Sequence, residues 1–334
     1  MKLFSIAFDV AFLALVQSAA CTPLKGKFSD LVVFGDSLSD NGNLASYLRP
    51  QIPDFPERSS NGKVAAEYVA KRLGIKRLRP SKYLTWFDPS GTNYAVTGAR
   101  CIPLDEPPLY DGENPAMRIP AQVEKYLASV SDSKGVPRAD PNALYMVFGG
   151  GNDLLDAMRM KKAGASDDDV SAYVYRAAAS CADSTRALID AGARYVIHVG
   201  VANAGDIPRF TLIGDEKFEK DAEYFSITFD IAMESEITKV EDDTGIDVVE
   251  VDMFSIVETA AIKRGLQGSE PCTISPYLSG VPEAKPPIAP GAVPFDSCVL
   301  PDANGFTFYD EVHPTTTGHR VIARVILKAL ERTM

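Results

Sequence analysis

The chain has 334 residues, of which 46% are hydrophobic and 24% charged, and its formal net charge is −11. That is an ordinary globular composition with ample material for a large core. The acidic balance argues against nucleic acid as a partner, because phosphate recognition needs a basic face.

The N-terminus reads as a secretory leader. Lys2 precedes an apolar run over 3–16, broken by Ser5 and Asp9, and Ser18-Ala19-Ala20 offers small residues for cleavage. This predicts a signal peptide over residues 1–20, a mature chain beginning near Cys21, and an extracellular location. A buried N-terminal helix is the competing reading. The run is too short to span a bilayer, and no later stretch reaches the roughly 20 apolar residues a span needs.

Five short apolar, β-rich runs follow, at 31–34, 93–96, 144–148, 195–199 and 247–251. Helical patterns lie between them at 64–73, 119–130, 170–190 and 217–241, with 253–264 and 317–332 after the last run. Asn61 is placed to cap the first helix, Gly74 to end it, and Gly192 to end the third. This alternation predicts an α/β fold: a three-layer α/β/α sandwich around a mostly parallel five-stranded sheet. The runs are continuously apolar, as strands covered on both faces should be. The proline-rich stretch 265–304 reads as irregular. No linker separates two cores, so residues 27–334 are expected to form a single domain.

There are five cysteines. With Cys21 at or before the mature terminus, an even set remains, which suits an oxidising compartment. Cys272 and Cys298 flank the proline-rich stretch and are the expected disulfide. Cys101 and Cys181 either pair or fill core space separately.

The run 31–34 leads directly into Gly35-Asp36-Ser37-Leu38, which puts a serine at the C-terminal edge of the first strand, where α/β sheets build sites. A serine hydroxyl needs a base. Of the three histidines, His198 lies inside an apolar run and reads as core. His319 opens the last helix and reads as capping or packing. His313 sits in a loop with Asp310 three residues earlier, a spacing at which the carboxylate can hold the imidazole tautomer. Ser37, His313 and Asp310 are therefore the candidate nucleophile, base and orienting acid. Backbone N–H groups near Gly98, and the Asn152 amide after Gly149-Gly150-Gly151, are candidate donors to an oxyanion. The triple glycine lacks the endings of a phosphate or dinucleotide loop. Asp36, Asp40 and Asp153 read as acceptors for loop N–H groups rather than metal ligands.

These blocks resemble the GDSL type of the SGNH hydrolase family. Gly35-Asp36-Ser37-Leu38, Gly98, Gly150-Gly151-Asn152-Asp153 and Asp310-Glu311-Val312-His313 appear in the family's order. Ser60-Asn61-Gly62, Asn93-Tyr94-Ala95 and His313-Pro314-Thr315-Thr316 add to the likeness, which runs from about residue 30 to the C-terminus. It implies a flavodoxin-like fold and a secreted ester hydrolase with Ser37, Asp310 and His313 catalytic. It also implies an oxyanion hole of Ser37, Gly98 and Asn152, and no metal or organic cofactor. Lipids or other small carboxylic esters are the implied substrates, met through transient contact with a lipid interface by a monomer. An acetyl esterase of plant-wall polysaccharide and a non-catalytic binding protein are the alternatives. Tyr83, Trp86 and Phe87 read as an acyl pocket, as a stack against a sugar ring, or as ordinary packing of the loop before the second strand. Two departures are visible: Thr97 stands where glycine is common, and Gly151 stands where alanine is common.

Overall fold

The computed structural model describes residues 24–85, 90–108, 113–258, 267–272 and 305–333. The leader, Trp86, Phe87 and Cys298 lie outside the described residues. Four parallel strands form the main sheet in sequence order: β1 (Leu31–Gly35), β2 (Leu144–Phe148), β3 (Tyr195–Val199) and β4 (Val248–Val251). Every residue of β1 and β2 is buried, which requires cover on both faces.

The predicted strand at 93–96 is a correction. This segment follows the free edge of β1, with Val33 N–H on Thr92 O at 2.9 Å, Tyr94 N–H on Val33 O at 2.7 Å and Val96 N–H on Gly35 O at 3.0 Å. It makes only isolated bridges, and the described sheet has four strands rather than five. The ladder is interrupted at Gly35, whose N–H donates to Gln122 Oε1 at 2.8 Å rather than to this segment. The Asn43 amide donates to both Asn93 O and Ala95 O at 2.8 Å, so a side chain takes the place of a further strand.

Helices α1 (Asn43–Leu48), α2 (Ala65–Leu73) and α3 (Ile119–Ser129) separate β1 from β2. α4 (Gly151–Lys162) and α5 (Asp167–Asp190) separate β2 from β3, and α6 (Pro208–Thr211) and α7 (Glu216–Thr244) separate β3 from β4. The sequence signals for the long helices are local. Ser166 Oγ accepts from Asp169 N–H at 3.1 Å to start α5, and Asp215 Oδ1 accepts from Lys217 and Phe218 N–H to start α7. Buried Val170, Tyr173, Val174, Ala177, Ala178 and Cys181 fall at the three-to-four spacing of one helix face. α5 packs on α7, α3 and α4, while α2 packs on a last helix, α8 (Thr316–Thr333).

Other expectations are corrected too. Asn61 does not cap α2. Its Oδ1 accepts from Thr316 N–H at 2.9 Å, at the start of α8. The first N–H groups of α2 go instead to Glu67 (Val64 N–H, 3.1 Å) and to His319 Nδ1 (Ala65 N–H, 3.2 Å). The stretch 265–304 is not wholly irregular: β5 (Gln267–Pro271) pairs in parallel with β6 (Phe306–Phe308). Of the predicted helix 253–264, residues 256–258 are helical and those after 258 lie outside the described residues.

Cys101 and Cys181 are both buried and carry free thiols, so they do not pair. Cys272 is buried, with its N–H on Phe308 O at 3.0 Å.

Candidate active site

The in-register ends of β1 and β2 build the site. Gly35 lies opposite Phe148, so the chain leaves both strands at the same edge, carrying Ser37 on one side and Asn152 on the other. Gly35 must be glycine, since a Cβ there would lie 2.2 Å from Phe148 O. Its N–H and C=O are held by one buried side chain: Gln122 Oε1 accepts at 2.8 Å and Nε2 donates at 2.8 Å. Asp36 then accepts from Leu38 N–H at 2.9 Å, and its carbonyl accepts from the N–H groups of Ser39 and Asp40. This tight turn fixes Ser37, 6% exposed, at its apex.

His313 arrives from the other end of the chain, in the loop between β6 and α8. That loop is clamped at its base by Tyr309 N–H on His313 O at 2.7 Å and Thr315 N–H on Thr307 O at 2.9 Å. Ser60 Oγ adds a bond to Pro314 O at 2.9 Å. The clamps aim the imidazole. His313 Nε2 lies 2.8 Å from Ser37 Oγ, and Nδ1 lies 2.8 and 2.9 Å from the two oxygens of Asp310. Asp310 Oδ1 also accepts from Val312 N–H at 2.9 Å and His313 N–H at 2.7 Å, so the carboxylate is itself fixed. All three side chains are buried.

The electrostatics follow from this packing. Burial pushes the His313 imidazole down, but the charge and hydrogen bond of Asp310, with Asp36 and Glu311 behind it, outweigh burial, and its pKa rises above 6.5. Burial lifts Asp36 to about 6 and Asp153 to about 7. Asp36, Asp40 and Asp153 each accept backbone N–H groups: Leu38 for Asp36, Gly42, Asn43, Leu44 and Thr97 for Asp40, and Cys101 for Asp153. Among the described residues, no group of His, Cys, Asp and Glu is arranged to hold a metal.

Asn152 is the second residue of α4, a helix that is not among the helical patterns of the sequence. Its amide donates to Ala99 O at 2.9 Å, which ties it to the segment bearing Gly98. An amide has two N–H donors, so a second is left for a ligand. Gly98 has φ +86°, a left-handed conformation that favours glycine, with open space where a Cβ would point. Asn152 and Ser37 line one apolar cavity of about 110 Å³ together with Leu38, Leu155, Val201, Ile207, Met253 and Val312. Gly98 is not among its lining residues; the Ala99–Asn152 bond ties the segment that bears it to the site.

The other candidates fall elsewhere. His198 is in the core on β3, with neither ring nitrogen hydrogen-bonded among the described residues, and burial holds its pKa near 4. His319 caps α2 from α8. Tyr83 is buried, stacked on Tyr94 at 5.8 Å, with its hydroxyl on Ala116 O at 2.9 Å, so it is packing and not a sugar platform. Asp40 holds loop backbone as its sequence position suggests. Gln122 and Arg100 hold the site's backbone but carry no sequence signal of their own, because what they bind is main chain far from them in sequence or folded back on itself.

The chain is 31% identical over 205 residues to lipase 1 of Photorhabdus luminescens, covering 61% of this chain but only 27% of that protein. It is 25% identical to the anther-specific proline-rich protein APG of Arabidopsis thaliana, covering 88% of this chain and 60% of that one. It is likewise 25% identical to a GDSL esterase/lipase of Arabidopsis thaliana, with 90% and 91% covered. The model of the GDSL-like Lipase/Acylhydrolase family matches residues 31–326, and the chain belongs to that family.

Proposed function

We propose that this protein is a serine carboxylic ester hydrolase acting on lipid or other small carboxylic esters through an acyl-enzyme on Ser37. The observation that carries the reading is the continuous hydrogen-bonded line from Ser37 Oγ to His313 to Asp310, which opens on an apolar cavity. In the proposed reaction His313 Nε2 takes the Ser37 proton as Oγ attacks the ester carbonyl carbon. The oxyanion is held by the N–H groups of Ser37 and Gly98 and by the Asn152 amide. Collapse expels the alcohol, which leaves with the proton from His313. Water, activated by the same imidazole, then releases the acid and restores Ser37. Asp310 keeps the proton of neutral His313 on Nδ1 and stabilises the imidazolium.

The apolar lining favours acyl chains longer than acetyl, and the buried Tyr83 weighs against a sugar-stacking platform. We further propose export with removal of residues 1–20, a single domain over 27–334, and a Cys272–Cys298 bridge. One apolar core cluster running from Leu24 to Leu330 supports the domain reading. The test is a series of p-nitrophenyl esters of rising acyl length, run beside acetylated xylan, with Ser37→Ala as control. The reading expects Ser37-dependent turnover with longer chains preferred. Preference for acetyl groups on xylan would replace the lipid reading, and near-normal turnover by Ser37→Ala would overturn the mechanism.

A further inference from the structure

Resting on the oxyanion role proposed for Gly98, we propose that Arg100, anchored by Asp156, is the positioning residue that holds the Gly98 donor in place. Gly98 occupies the third position of a β-turn: Ala99 N–H donates to Val96 O at 3.0 Å, and φ is +86° at Gly98. That is the type II geometry. No described residue lies within 4 Å of where a Cβ at Gly98 would be, so none of them packs against the tip of this turn from that side. An oxyanion donor must nevertheless sit within about 0.5 Å of its productive place.

The main chain on either side of the Gly98 N–H is anchored by buried charge. On one side, Asp40 Oδ2 accepts from Thr97 N–H at 2.9 Å and from Thr97 Oγ1 at 3.2 Å. On the other, Arg100 Nη1 donates to Gly98 O at 2.8 Å. Arg100 is 5% exposed, and the rest of its fork is taken by Asp156, with Nη2 on Oδ1 at 3.2 Å and Nε on Oδ2. Asp156 lies one turn beyond Asn152 and Asp153 on α4. Asn152 binds Ala99 O at 2.9 Å and Asp153 accepts Cys101 N–H at 3.0 Å. One helix thus carries the candidate Asn152 donor and also grips the segment that carries the Gly98 donor. Arg100 is the link in this set that reaches Gly98 itself.

A guanidinium serves both partners because it is a planar fork. A lysine ammonium offers one point charge and cannot pair Asp156 and reach Gly98 O in this geometry. Arg100→Lys therefore keeps the buried charge and releases the carbonyl. Removal of one oxyanion donor costs about 10²–10³ in kcat, and a displaced donor is expected to cost roughly 10–100-fold.

The experiment measures kcat and KM for a p-nitrophenyl ester and Ki for an alkyl boronic acid, a tetrahedral mimic, in wild type and Arg100→Lys. The inference expects kcat to fall, Ki to rise in parallel, and KM to stay within about twofold. Unchanged kcat and Ki overturn it, as does a loss confined to KM. If Arg100→Lys does not fold, Asp156→Asn, which leaves the guanidinium but removes its charged anchor, is held to the same criteria. Ser37→Ala separates the two levels. A wild type without Ser37-dependent hydrolysis sinks the proposed function, whereas Ser37-dependent hydrolysis that ignores Arg100 and Asp156 sinks only this inference.

Discussion

Replacing Asp310 by asparagine isolates one atom of the site. The asparagine Oδ1 can keep the N–H groups of Val312 and His313, now at 2.9 and 2.7 Å, so the loop need not move. Its NH₂ then stands where Oδ2 lies 2.8 Å from His313 Nδ1, donor against donor, while the Oδ1 at 2.9 Å from Nδ1 is an uncharged oxygen already accepting two backbone N–H groups. The imidazole relieves this by moving its proton to Nε2. That proton then points at Ser37 Oγ, 2.8 Å away, where a base must offer a lone pair. Loss of the base is worth about 10²–10⁴ in rate. Loss of the charge-assisted bond to the imidazolium adds about 1.5–3 kcal/mol. The two overlap, so the expected fall in kcat/KM is about 10³–10⁴-fold, or roughly 4–5.5 kcal/mol of transition-state stabilisation. The assay is p-nitrophenyl butyrate hydrolysis from pH 5 to 9, with a thermal melt to show that the fold survives. A second readout comes from the limb of the profile on which activity rises with pH. In the wild type that limb lies above pH 6.5, because Asp310 lifts the imidazole against burial. Without the carboxylate, burial is left as the main influence and the limb moves to lower pH. A variant within tenfold of wild type, or one whose limb stays in place, would refute the reasoning.

Two further predictions concern stability. His198→Leu should stabilise the protein, and more so in acid. The folded pKa near 4 lies below the unfolded 6.5, so the stability tied to neutral His198 is present above pH 6.5 and lost as pH falls toward 4. At pH 5 the advantage of the variant should exceed its pH 7.5 value by about 2 kcal/mol. Asp230 and Glu250, which share a cavity with His198 and are raised to about 7 by burial, are common to both proteins and drop out to first order. Urea unfolding at the two pH values checks this, and an equal difference at both contradicts it. Gly151→Ala should be tolerated, because a Cβ there meets only Asp36 Oδ2 at an ordinary 3.7 Å and no positive φ is required. It should gain about 0.4–1 kcal/mol by restricting the unfolded chain at the first turn of α4, with kcat within twofold. A loss of stability would mean that the start of this helix needs glycine for a reason not visible in its contacts.

The parts of the fold that repeat a local rule were legible in the sequence. The sheet strands are continuous apolar runs, and α5 and α7 begin at side-chain caps written into their own first turns. α4 was not legible because it opens on three consecutive glycines, poor helix formers, and the helix starts at the third of them. The run 93–96 has strand composition, but the Gly35 N–H that would extend its ladder goes to Gln122, 87 positions away in sequence. The same limit applied to Asn61. Its position suggested the nearest helix, whereas its partner is Thr316, 255 residues away. At the site, Ser37, His313 and Asp310 could be picked out because each is a reactive type in a short recognisable block. Asp40 was legible as an acceptor for the loop N–H groups just after it, but Gln122 and Arg100 were not, since a side chain that binds distant backbone leaves no pattern until that backbone is folded around it.

Peptide mass mapping of protein quenched during turnover of a slow ester tests the central claim most directly. The account predicts a single added acyl mass on the peptide containing Ser37, absent in Ser37→Ala. An active enzyme that carries the acyl group on another residue, or turns over with no covalent adduct under conditions where deacylation is limiting, would contradict it.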